Sequence, residues 1–469
     1  VYRAVAGRYE FNFQYIDAVF DRMLEIGVRP FVEFGFMPGD LARTTGTVFW
    51  WKGNGSPPND YSHWSELITA VLNHWVTRYG ADEIAEWYFE VWNEPNLAPF
   101  WEGTRSEYFR LYEVTALALK AVDARFRVGG PATSNFVPDA RFAGETENFE
   151  EHDLVRTSHD LDGLEWKPVW LTEFFDFCEK AKLPINFVSC HPYPTDWALD
   201  EHGQGLRLTR GVDATLTDIT LLGRMISESA FPHAEMHLTE WSSSSSSRDF
   251  THDSLQAATY VLRTNIAVIG LTNSLAYWTF TDVFEEQGAG DQMLHGGFGM
   301  LTLQGIPKPT FHAYRILNEL GTEVLLTRPG GIVTRDDRSI QAAFFNYPDT
   351  ETATVAASFD SRAIADRVAA MVSPRELKIA VSGLLPGSEY VLEIIDQDHG
   401  TVVESWKSIG SPADLTREQV AKLRHLTHHG RRTFHVVGAD GTLQILRTLS
   451  AWSIGSLSPL ASRATRSTA

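Results

Sequence analysis

Phe89-Glu90-Val91-Trp92-Asn93-Glu94-Pro95-Asn96-Leu97 reads as an apolar strand that stops on two polar side chains. Pro95 has no amide hydrogen to donate, so it blocks continuation of the strand. Glu94 is left at the strand mouth with Trp92 beside it. A carboxyl against an indole is poorly solvated, which raises its pKa and lets it hold a proton near neutrality. The plain alternative is a strand-end carboxylate that caps the next helix, and the Asn93–Pro95 context speaks against it. His237-Leu238-Thr239-Glu240-Trp241 repeats the arrangement, with a strand ending in Glu and a Trp following.

Outward from these two stretches the first two-thirds of the chain alternates helix and strand. Strands are expected at Phe31–Phe34 and near Trp87–Trp92, Val128–Gly130, Phe187–Cys190, Glu235–Thr239 and Ser274–Phe280. Helices are expected near Asn12–Ile26, Ser62–Tyr79, Ser106–Asp123, Leu171–Lys180, Leu216–Ser229, Ser254–Val268 and Phe311–Leu320, where apolar residues recur at helical spacing. Continuous apolar strands, each followed by a helix, point to a parallel sheet buried on both faces. The polar clusters fall at the strands' C-terminal ends, where (β/α)8 TIM-type barrels carry their active sites. A closed barrel requires eight strands and only six are legible here, with the chain opening on a helix. The expectation is an N-terminally incomplete barrel over residues 1–322, two strands and one helix short.

From residue 323 to 469 the pattern changes to short alternating segments divided by turn residues. Ile340–Phe345, Thr352–Ala357, Leu377–Val381, Tyr390–Ile395 and Thr433–Val437 predict an antiparallel β-sandwich, with one helix after Asp414. Ser242–Ser247 is the one low-complexity stretch, expected as a mobile loop. The tail from Ser462 is small and polar and is expected to fray.

Forty basic against sixty acidic residues give a net charge of −20, which repels phosphate backbones and excludes nucleic acid as a partner. No apolar run reaches the roughly 20 residues of a bilayer span, so no integral membrane role is expected. Two cysteines cannot make a disulfide framework and lean toward a reducing, cytoplasmic compartment, with secretion left open. Fourteen Trp and twenty-eight Phe suit stacking on sugar faces. Two carboxyls at the mouths of different strands of one barrel form the pair that glycoside hydrolysis needs: one protonates the leaving oxygen, the other attacks or activates water. No metal or cofactor is expected, because carboxylates do the proton and nucleophile work. His425, His428 and His429 read as solvated surface. Glu33 reads as a structural partner, and Glu90 as a buried partner one layer below Glu94.

The stretch from Tyr15 to Leu320 resembles glycoside hydrolase family 39, the β-xylosidases and α-L-iduronidases. The likeness rests on Pro30–Pro38, Trp50-Trp51-Lys52-Gly53-Asn54, the Glu94 motif through Trp101, Val128–Thr133, His191-Pro192-Tyr193-Pro194, Thr239-Glu240-Trp241, Tyr277–Glu286, His295–Gly299 and Leu303–Ile306. The resemblance implies Glu94 as general acid/base and Glu240 as nucleophile of a retaining double displacement. It implies Asn93 on the sugar 2-hydroxyl, His191 and Tyr193 lining the site, Trp278 as its floor, Glu286 on ring hydroxyls, and Phe100 and Trp101 as an aromatic wall. An iduronidase must compensate a substrate carboxylate, yet Tyr277–Met300 contains no Arg or Lys, and Arg105 and Arg248 lie several residues beyond Glu94 and Glu240. The expected substrate is therefore a short β-1,4-xylo-oligosaccharide cut from its non-reducing end, with self-association left open. Alternatives are an iduronidase-like or other glycosidase of the family, and a catalytically impaired carbohydrate-binding fragment.

Overall fold

The computed structural model describes residues 2–5, 8–134, 136–137, 166–199, 205–283, 286, 288, 290–336, 339–348 and 362–460. By compactness the chain divides into two units. One comprises Val1–Leu208, Thr217–Trp241 and Gly270–Ala276; the other comprises Thr209–Leu216, Ser242–Ile269 and Tyr277–Ala469.

The first unit is built on six strands: β1 (Phe31–Phe34), β2 (Tyr88–Val91), β3 (Arg127–Ser134), β4 (Phe187–His191), β5 (Glu235–Trp241) and β6 (Ser274–Tyr277). They lie side by side in chain order as a curled half-barrel sheet, and β1 to β5 are parallel neighbours. The order follows from the connections, since each crossover returns the chain to the adjacent sheet edge. An antiparallel hairpin, Tyr2–Val5 with Arg8–Phe11, precedes the first helix, so the chain does not open on a helix as expected.

The helices form where the periodicity predicts. Tyr61–Tyr79 is capped by the Asp60 side chain on the Ser62 amide and buries Trp64, Leu67, Ile68, Val71, Leu72 and Trp75. Arg105–Val122 starts in a reciprocal Thr104–Glu107 capping box, which satisfies two of its free amides. Gln14–Glu25 differs: none of its residues is fully buried, and Val19 is exposed.

Inside the curl the sheet is layered. Phe31, Tyr88, Phe187 and His237, from β1, β2, β4 and β5, pack face and edge at 4.6–5.5 Å as an aromatic floor. Above it Glu33 and Glu90 are register partners on β1 and β2. β3 runs on to Ser134, past the Gly129-Gly130 expected to end it. Gly129 is there for packing, because a Cβ at this position would stand 2.3 Å from the Phe187 carbonyl oxygen.

Among the described residues the second unit holds eight strands in two antiparallel sheets. These are β7 (Glu323–Arg328), β8 (Gly331–Asp336), β9 (Ser339–Phe345), β10 (Arg375–Val381), β11 (Glu389–Ile395), β12 (Arg431–Val436), β13 (Leu443–Leu449) and β14 (Ile454–Pro459). One sheet has the order β7-β8-β9-β14-β11-β12 and the other is β10-β13. Phe344, Leu392, Ile394 and Leu457 of the larger sheet share a core with Leu443, Ile445 and Leu449 of the smaller. The helix expected after Asp414 is Arg417–Thr427. Thr352–Ala357 and the tail from Ser462 lie outside the described residues. The serine run lies in a loop, and Ser242, Ser243, Ser244, Ser246 and Ser247 are buried, with the Ser242 hydroxyl donating to the Ser244 carbonyl. Short hydroxyls that bond their own backbone can be buried without loss. Among the described residues no helix is long and apolar enough to cross a membrane.

Candidate active site

The site lies in the first unit, where β2, β4 and β5 end. After β2 the backbone turns sharply, and Trp92 and Glu94 both take positive φ, 72° and 45°. Left-handed backbone at an indole and a carboxyl costs on the order of 1–3 kcal/mol each and persists only where surrounding contacts impose it. Those contacts are present. The Trp92 amide donates to Phe34 O at 3.1 Å and the Glu94 amide to Ala132 O at 2.9 Å. Asn96 locks the turn onto the end of β3, donating to Ser134 O at 3.1 Å and accepting from the Ser134 amide at 2.9 Å. Sequence reasoning did not single out Asn96 or Ser134. They act on each other across a sheet neighbour, and only the Asn-Glu-Pro-Asn spacing pointed toward them.

Glu94 and Glu240 converge on His191. The imidazole Nδ1 lies 2.9 Å from Glu94 Oε1 and 3.8 Å from Glu240 Oε2, and one carboxylate oxygen of each glutamate and the ring nitrogen fall within 4.8 Å of one another. His191 Nε2 is buried and has no hydrogen-bond partner among the described residues. Three such side chains have the spacing of metal ligands, but the direct hydrogen bond accounts for their approach without an ion.

The two carboxyls sit in different surroundings. Glu94 is 6 % exposed, and burial raises its pKa from 4.5 to about 7 against an opposing hydrogen bond from Ser134. Glu240 accepts a 2.5 Å hydrogen bond from the hydroxyl of buried Tyr193, which fixes one of its oxygens and leaves the other toward His191. One layer down, buried Glu90 accepts from the Thr239 hydroxyl at 2.7 Å, and its pKa too is raised by burial.

Of the other residues singled out from sequence, Asn93 is half-buried between Trp92 and Glu94. Phe100 is half-buried, and its carbonyl accepts from Trp92 Nε1 at 3.1 Å. Trp101 is buried behind it, edge-on to Trp92 at 5.0 Å. Trp278 and Glu286 are half-buried and belong to the second unit.

Residues 1–444 match the model of glycosyl hydrolases family 39. The chain belongs to this family. It is 36% identical over 425 residues to a β-xylosidase of Geobacillus stearothermophilus, covering 89% of this chain and 75% of that protein. It is also 36% identical to a β-xylosidase of Caldicellulosiruptor saccharolyticus, over 89% and 76% of the two chains. Among solved structures, a monomeric β-xylosidase from Caulobacter crescentus superposes with a TM-score of 0.80 at 30% identity, covering 98% of this chain and 87% of that one. Family membership makes the chain a glycoside hydrolase, and two converging glutamates are what that chemistry requires.

Proposed function

We propose that the protein is a retaining β-xylosidase that releases xylose from the non-reducing end of β-1,4-xylo-oligosaccharides. The observation that carries the reading is the approach of the two carboxylates, with an oxygen of Glu94 and one of Glu240 within 4.8 Å. Retaining enzymes hold their carboxyls about 5–5.5 Å apart, while inverting enzymes leave about 6.5–9.5 Å for a water.

In the proposed reaction Glu240, oriented by the Tyr193 hydroxyl, attacks the anomeric carbon as the bond to the leaving oxygen breaks. Glu94 gives its proton to that oxygen. Glu94 then takes a proton from water, and the water oxygen displaces Glu240 to release the sugar. A carboxyl with a pKa of about 7 suits both duties, since it is protonated for the first step and basic enough for the second. Asn93 and His191 serve the 2-hydroxyl and the carboxylates, and Phe100, backed by Trp101, forms the wall. The glycone-binding roles implied for Trp278 and Glu286 are part of the same proposal.

A neutral sugar is favoured over a uronic acid. Arg105 is 3.6 Å from Glu173, and Arg248 donates to the carbonyls of Ser247 and Gly288. The experiment is hydrolysis of xylosides with good and poor leaving groups. Glu240→Ala is expected to lose at least about 10^4-fold on both. Glu94→Ala is expected to lose about 10^3-fold on xylobiose and far less on an activated aryl xyloside. Equal losses for Glu94→Ala on both substrates would refute the assignment.

A further inference from the structure

Between the first strand and the first long buried helix the chain forms a short hairpin, Thr47–Val48 paired with Gly53–Asn54. Its tip is Phe49-Trp50-Trp51-Lys52, closed by the Lys52 amide donating to Phe49 O at 3.2 Å. Phe49 and Lys52 both hold left-handed backbone, at φ 63° and 59°. This conformation is uncommon for non-glycine residues and a genuine outlier for a bulky one such as phenylalanine. It turns Trp50 outward at 64 % exposure and leaves Trp51 at 39 %. Two exposed indoles on a strained turn are costly for folding alone.

The tip is not isolated. Trp51 stacks on Phe49 at 5.3 Å and 27°, and Phe49 lies against Phe100 at 5.5 Å and 33°. Phe36 ties the group together, meeting Trp51 at 5.6 Å, Phe100 at 6.3 Å and Trp92 at 5.5 Å. Gly53 permits the Trp51 ring to lie this close, because a Cβ there would stand 2.6 Å from it. A continuous aromatic surface thus runs from the indole two residues before Glu94 out to solvent. Near-parallel rings present flat faces of the kind that pyranose C–H faces cover.

We propose that the Phe49–Lys52 tip is the leaving-group subsite, where Trp51 and Trp50 stack the sugar ring that departs when Glu94 donates its proton. The assignment rests on the glycosidase reading above. Its direction follows from the contacts: the surface adjoins the turn that carries the proton donor, and that proton goes to the leaving oxygen.

The test compares xylobiose, whose leaving group is a sugar, with β-xylosyl fluoride, whose leaving group is one atom. In Trp51→Ala, kcat/KM for xylobiose is expected to fall about tenfold more than kcat/KM for the fluoride. Trp50→Ala, at the exposed apex, should shift the ratio in the same direction by less. Trp51→Phe should restore most of the ratio. Equal losses on the two substrates, or no loss on xylobiose in either alanine variant, would overturn the subsite. Wild-type protein that turns over neither substrate would overturn the β-xylosidase reading, and the subsite with it.

Discussion

A buried cluster of charged side chains around Lys308 in the second unit and another around His191 in the first are built on opposite terms. In the second unit Lys308 is fully buried between Asp253 at 2.8 Å and Asp282 at 2.7 Å. Its ammonium also donates to Gly297 O at 3.0 Å, while the aspartates accept from the amides of Gly296 and Gly299. Burial alone would push the lysine pKa down, but the two aspartates outweigh it and hold it above its ordinary value. In the first unit Glu94, Glu240 and Glu90 gather around His191. There burial decides, and Glu94 is driven to about 7. A cluster that neutralises itself fixes a loop. One in which burial outweighs the hydrogen bonds to a carboxyl keeps a proton near neutrality, at a cost in stability.

The contrast can be broken or sharpened. Lys308→Met would leave two buried aspartates without their cation, and is expected to destabilise the fold by about 3–5 kcal/mol, read from the denaturant midpoint. A midpoint unchanged from wild type would mean that the second cluster is not structural.

In the first unit the sign reverses. Because the folded pKa of Glu94 lies above its unfolded value, the folded chain holds the proton more tightly between 4.5 and about 7. Stability is then fullest below pH 4.5 as far as this group is concerned, and falls as pH rises until the carboxylate is ionised above 7. Glu94→Gln should therefore stabilise the protein at pH 8 by up to about 3 kcal/mol relative to its effect at pH 4. A thermal midpoint that responds equally at the two pH values would contradict the raised pKa. For the same reason kcat/KM should decline as pH rises through about 7.

The smallest effect concerns orientation. Tyr193→Phe removes the 2.5 Å hydrogen bond to Glu240, and is expected to lower kcat/KM about ten- to hundredfold with little change in melting temperature.

The placement of the two carboxyls was legible where short-range rules decide it. An apolar strand stopped before Asn93-Glu94-Pro95, and another ending on Glu240-Trp241, place their carboxyls at strand mouths, and parallel order then brings the mouths together. What sequence did not reveal depends on partners distant along the chain. Gly129-Gly130 read as a strand end, yet β3 runs on to Ser134, with Phe187 packed against Gly129. The strand β14, Ile454-Gly455-Ser456-Leu457-Ser458-Pro459, shows no alternation because nearly all of it is buried between β9 and β11. The burial of the serine run was not legible because composition records polarity and not the local hydroxyl-to-backbone bonds that allow burial.

The central claim is that Glu240 bonds to the sugar while Glu94 shuttles the proton. The anomeric form of the first xylose released, followed by proton NMR before mutarotation, tests it most directly. The account predicts β-xylose first, converting later to the equilibrium mixture; α-xylose appearing first would contradict it.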